Sequence, residues 1–266
     1  MIDINLIFIP LFGFLIGLLV SMLGGGGGGL YVPVLTLLFG VPTQVAVATS
    51  LASVLPTTAL GAFSHHREGN VDIRTGLILG IGGIIGTLIG ASIANMIPPI
   101  LLRRILGIFT LIMLIPMIRS ALKRRKNTDK GKKGEENKKE FTTLTGPKRV
   151  IASFFGVASG LMAGVFGISG TPPVTIGLYS LGLPAIMVVG TSVFVLIFNS
   201  LAGIGGYFLL GRLDLTLIIL LGGGAAVGAF LGPKLLKKID PKTIEKIYAP
   251  LLVTISLTMG LAMTLA

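Results

Sequence analysis

Long apolar runs, parted by short polar or glycine-rich breaks, fill most of the chain. Eight of them, residues 4–23, 44–63, 73–96, 101–122, 150–166, 185–208, 215–231 and 244–265, approach or exceed the length of about 20 residues needed to cross about 30 Å of hydrocarbon. Two more, 30–39 and 174–183, hold 10 residues each. As helices these would rise about 15 Å, half a bilayer. Each follows a stretch that cannot continue a helix, Gly24 to Gly29 in one case and Gly167 to Pro173 in the other. Such a break is tolerated at membrane depth only where it is buried in protein or lines a cavity. The pattern predicts an all-α polytopic membrane protein of about eight long transmembrane helices plus two short half-helices.

Composition agrees, with 52% hydrophobic residues, 12% charged residues and a mean hydropathy of +0.93. The basic stretch 123–149 holds 11 of the 22 Lys and Arg, so the net charge of +12 is mostly local. A nucleic-acid binder would spread its cations over a folded surface among aromatics, and nucleic acid is not expected as a partner. Residues 123–140 are polar, charged and unable to pack a core, which reads as a disordered connector that fixes topology. The sharper alternative is a patch for anionic lipid, worth about 1 kcal/mol per cation. The absence of Cys removes disulfides, thiol chemistry and thiolate-bound metal. No basic residue precedes the first run, so the N-terminus lacks the start of a cleavable signal peptide and residues 4–23 read as a retained span.

The chain also matches itself. An offset of 142 pairs Pro42 with Pro184, Thr49 with Thr191, Ser50 with Ser192 and Asp72 with Asp214, and continues through Gly80, Gly82, Gly86 and Gly90 to Pro99 with Pro241. Upstream the offset becomes 143, pairing Gly13 with Gly156, Gly17 with Gly160 and Gly24 with Gly167. Residues 1–122 then form a first transmembrane repeat, 123–147 a basic cytoplasmic linker and 148–266 a second transmembrane repeat. The positive-inside rule chooses their relative orientation. If each short run re-enters, 7 of the 22 basic residues fall outside; if each break and half-helix crosses, only Arg103, Arg104 and Arg212 do. The count favours two inverted-topology repeats.

Every Asp and Glu lies outside the apolar runs, whereas proton relays and cation sites usually place a carboxylate within a span. His65 and His66 follow the second long span and are better read as solvated than as a relay. The groups left at depth are hydroxyls, amides and backbone. A helix that starts after a break presents unpaired N–H groups and the positive end of its dipole, which suits an anion. The candidate substrate-binding residues are therefore Gly26, Gly27 and Gly28 at one break, Ser169, Gly170 and Thr171 at the other, and the matched hydroxyls Thr49, Ser50, Thr191 and Ser192. The competing account of those hydroxyls is bonding to their own helix backbone. Gln44 and Asn199 are intramembrane amides whose counterparts, Ile186 and Thr57, do not match them, and the remaining glycines read as helix packing. No GxSxG, Walker A or HExxH motif is present.

At the first break, GGGGGGLYVPVLTLLFGVPTQVAVATSL, at its echo GVFGISGTPPVTIGLYSLGLPAIMVVGTS and in the basic central loop, the sequence resembles the sulfite exporter TauE/SafE family of bacterial membrane transporters. The resemblance covers essentially the whole chain. It implies a multi-pass protein of the bacterial inner membrane whose partners are membrane lipid and a small sulfur-containing anion such as sulfite, sulfoacetate or another organosulfonate. The expected function is secondary transport of that anion by alternating access, with an anion channel or uniporter of the same lining as the alternative. No cofactor, no metal and no enzymatic activity are expected, and a homodimer is a further candidate assembly.

Overall fold

A computed structural model of the chain describes residues 4–23, 28–128, 146–168, 170–236 and 241–265. All regular structure among the described residues is helical: α1 (Ile4–Leu23), α2 (Gly28–Leu37), α3 (Thr43–Arg67), α4 (Ile73–Met96), α5 (Pro99–Thr128), α6 (Gly146–Phe166), α7 (Thr171–Ser180), α8 (Ala185–Leu209), α9 (Leu215–Leu236) and α10 (Pro241–Leu265). The two short apolar runs fold as α2 and α7, of 10 residues each. α3, α4, α8 and the Leu215–Gly232 part of α9 are long and apolar enough to cross a membrane. The chain is a helical membrane protein. α5 continues past its apolar run through residues 123–128, where Lys and Arg sustain a helix well. The rest of the basic connector, 129–145, lies outside the described residues.

The helices divide their surfaces by side-chain size. Along α4, Leu77, Ile81, Ile85, Ile89 and Ile93 are exposed, while Gly76, Gly80, Gly83, Gly86 and Gly90 are buried. Lipid solvates the large residues, and the small ones let backbones approach. Gly82, Gly86 and Gly90 lie against the carbonyls of Ser153, Val157 and Leu161, so α4 and α6 run parallel in close contact. The same seam joins α9 to α1, with Gly224 against the Pro10 carbonyl and Gly228 against that of Phe14.

α3 and α8 run antiparallel, because Gly61 meets Val193 and Gly203 meets Leu51. α5 and α10 do likewise, with Gly107 against Gly260 and Met263, and Gly260 against Leu111. The C-terminal turn of α3 and the start of α8 share one end of the molecule, where Gly190 packs on Asn70 and His65. Asp72 starts α4 at that end, its carboxylate accepting from the amides of Arg74 and Thr75. Asp214 starts α9 at the other end, accepting from the Leu217 amide. There the Arg212 side chain donates to Asn95.

Candidate functional site

α6 ends because Gly167 and Gly170 take left-handed backbone conformations, φ 67° and 69°, which β-carbon-bearing residues avoid. Broken backbone at this depth leaves polar groups that water cannot reach, and the sequence supplies a partner for each of several. The Ala163 carbonyl accepts from the Gly167 amide at 2.8 Å, and the Gly164 carbonyl accepts from the Tyr207 hydroxyl at 2.6 Å. The Gly167 carbonyl accepts from the Ser50 hydroxyl at 2.9 Å, a bond from one half of the chain to the other. The Gly170 amide donates to the Ile168 carbonyl. Ser159, on which Gly170 sits, accepts from the Asn199 side-chain amide at 2.9 Å.

Asn199 is the fifteenth of the 25 residues of α8, so α7 begins near the middle of that helix. Its start is poorer in N–H groups than a glycine run would be. Gly170 spends its N–H locally, and Pro172 and Pro173 have none, which leaves that of Thr171 in the first turn. The start of α2 differs. A β-carbon on Gly29 would meet open space, and Gly28 is already helical. Gly26 and Gly27 at the first break and Ser169 at the second lie outside the described residues.

The four hydroxyls do not form one cluster. From the α3–α8 contacts, Thr49 stands opposite residue 205, fourteen positions from Thr191, which is about 21 Å along the axis. Thr49 is fully buried, and its hydroxyl has no hydrogen-bond partner among the described residues. Thr191, also fully buried, accepts from the Asp72 amide at 2.9 Å. Ser50 reaches the second break, whereas Ser192 donates to Val189 of its own helix. Gln44 ties α3 to the end of α4 by donating to Ile97. Ser159 and Tyr207 are not among the residues that the sequence pattern marks, and Asn199 has only weak support there. The available signal was that an amide and a phenol stand in apolar runs, where each needs a partner.

Comparison with known proteins decides the family, since the description "Sulfite exporter TauE/SafE" matches residues 9–259. The chain belongs to the TauE/SafE family. The TauE/SafE assignment is supported by relatives of nearly equal length. The probable membrane transporter protein YdhB of Bacillus subtilis is 34% identical over 235 residues, 88% of this chain and 91% of that protein. YunE of the same organism, likewise named a probable membrane transporter protein, is 29% identical over 94% of this chain and 96% of its own. A probable membrane transporter protein of Methanocaldococcus jannaschii is 27% identical over 93% and 92%. No solved structure matches the chain significantly. As a TauE/SafE member the protein is a membrane transporter, and among its described residues no group of three or more His, Asp and Glu could hold a metal ion.

Proposed function

We propose that the protein is a secondary transporter of small sulfur-containing anions, such as sulfite, sulfoacetate or another organosulfonate, working by alternating access. The observation that carries this reading is the α6–α7 break. A helix starts near the middle of α8, beside the Asn199–Ser159 bond, and carries the positive end of its dipole and the Thr171 amide at that start. The sulfur substrate class comes from the family description.

Two inverted-topology repeats and eight spans fit the helix directions. Repeat counterparts α3 and α8 run antiparallel, as do α5 and α10, and the α4–α6 seam recurs between α9 and α1 at positions related by the same offsets. The anion is held where α7 begins, by Gly170 and Thr171 with Ser169 beside them, and by Gly26, Gly27 and Gly28 from the first break. Thr49 with Ser50, and Thr191 with Ser192, line its route toward opposite faces. The protein sits in the cell membrane with the basic linker, Arg67 and Arg74 on the cytoplasmic side and Arg103, Arg104 and Arg212 outside.

The test is counterflow in proteoliposomes with sulfite and sulfoacetate. Substrate on the far side should accelerate uptake of labelled substrate, as it does through a carrier. Flux indifferent to trans substrate would make the protein a channel, and the absence of any flux of either anion would remove the substrate assignment.

A further inference from the structure

Three side chains fasten the α6–α7 break or its packing, and none has an equivalent in the other half. Ser159, Asn199 and Tyr207 correspond by the repeat offsets to Ile16, Thr57 and His65. Gly83 makes room for the Asn199 amide, since a β-carbon there would collide with its Oδ1; the counterpart of Gly83 is Ala225. The Thr57 hydroxyl donates to Val54 of its own helix at 2.7 Å, and the buried Nδ1 of His65 has no partner among the described residues. Ser192 turns to its own helix where the matching Ser50 crosses to the break.

The glycine seams argue that this fastening is more than a requirement of the fold. Both halves keep those seams at corresponding positions, whereas only one half carries the Ser159, Asn199 and Tyr207 set. A feature needed simply to pack ten helices would be expected in both. A preset binding geometry, by contrast, strengthens affinity by removing the cost of ordering the site when the ligand arrives.

We propose that Ser159, Asn199 and Tyr207 are positioning residues that hold the α6–α7 break rigid, so that the start of α7 is a preset half of the anion site, a role that Ile16, Thr57 and His65 do not share. This deepens the transport reading above and rests on it. None of the three residues has to touch the anion. Tyr207 satisfies a carbonyl that the helix end leaves open, and the Asn199–Ser159 bond seats Gly170, the residue from which α7 departs.

The full chain in lipid nanodiscs and in proteoliposomes offers two readouts. Amide hydrogen exchange across residues 164–176 should quicken about tenfold in Asn199→Ala and in Tyr207→Phe, which keeps the ring, and should match the unsubstituted protein in Thr57→Ala. The KM for sulfite or sulfoacetate should rise about tenfold in the same two variants, with the maximal rate within about twofold. Combining Asn199→Ala with Ser159→Ala should add little to Asn199→Ala alone, because the bond they share is already lost. Unchanged exchange in Asn199→Ala and Tyr207→Phe overturns the proposal whatever transport does, as does equal opening by Thr57→Ala. Quicker exchange with an unaltered KM also overturns it, by separating the break from binding. Quicker exchange in a protein that moves neither anion would uphold the fastening and sink the sulfur-anion reading instead.

Discussion

Thr49 and Thr191 occupy equivalent positions and live in different surroundings. Gly76 lets the Thr191 methyl and the Phe194 ring come close to the start of α4, which brings the Asp72 amide onto the Thr191 hydroxyl. The counterpart of Gly76 is Ile218, and the Thr49 hydroxyl has no partner among the described residues. A buried, unsatisfied hydroxyl costs about 1–3 kcal/mol. Thr49→Val should therefore raise the thermal midpoint, while Thr191→Val should lower it by stranding the Asp72 amide. If Thr49 serves the anion, the stabilised variant will also show a weaker KM; a stabilised variant with unchanged transport would assign Thr49 to packing alone. The 142-residue offset pairs the two residues, but their difference depends on neighbours from another helix, which a self-comparison does not contain.

At the level of elements, helix identity was legible because length and apolarity decide it. Both half-helices stand where the breaks predict, and proline and glycine set their limits. What the sequence left open was which glycines bind and which pack. Gly82, Gly86 and Gly90 recur every four residues against carbonyls of α6, a spacing that puts them on one face. Gly86→Leu should abolish the folded, monodisperse protein in size-exclusion chromatography, because its β-carbon would enter the Val157 carbonyl. Gly223 is a contrasting case: nothing lies within 4 Å of a β-carbon there, and Gly223→Ala should be neutral or stabilising by up to about 1 kcal/mol. The second break was half legible. Glycine and proline announced the break, but the partners of its carbonyls come from α3 and α8, and they emerge only once those helices are packed.

For the whole molecule, the proposed orientation rests on helix directions and the placement of basic residues. The chain has no Cys, so single cysteines can be introduced without removing any. One placed in the 129–145 connector should be shielded from an impermeant maleimide in intact cells, and one at residue 266 should react. Equal labelling of both would exclude the inverted arrangement.

The glycine seams carry a consequence for how such a chain can be divided. α4 of the first half is sealed to α6 of the second, and α9 of the second to α1 of the first. Each half thus lends its opening helix to the other, like two hands with interlocked fingers. Expressed alone, residues 1–122 would present two unmatched glycine faces and should seek an upside-down copy of themselves. The chain is, in effect, an obligate pair tied by the 129–145 connector, and cutting that connector should leave the pair joined.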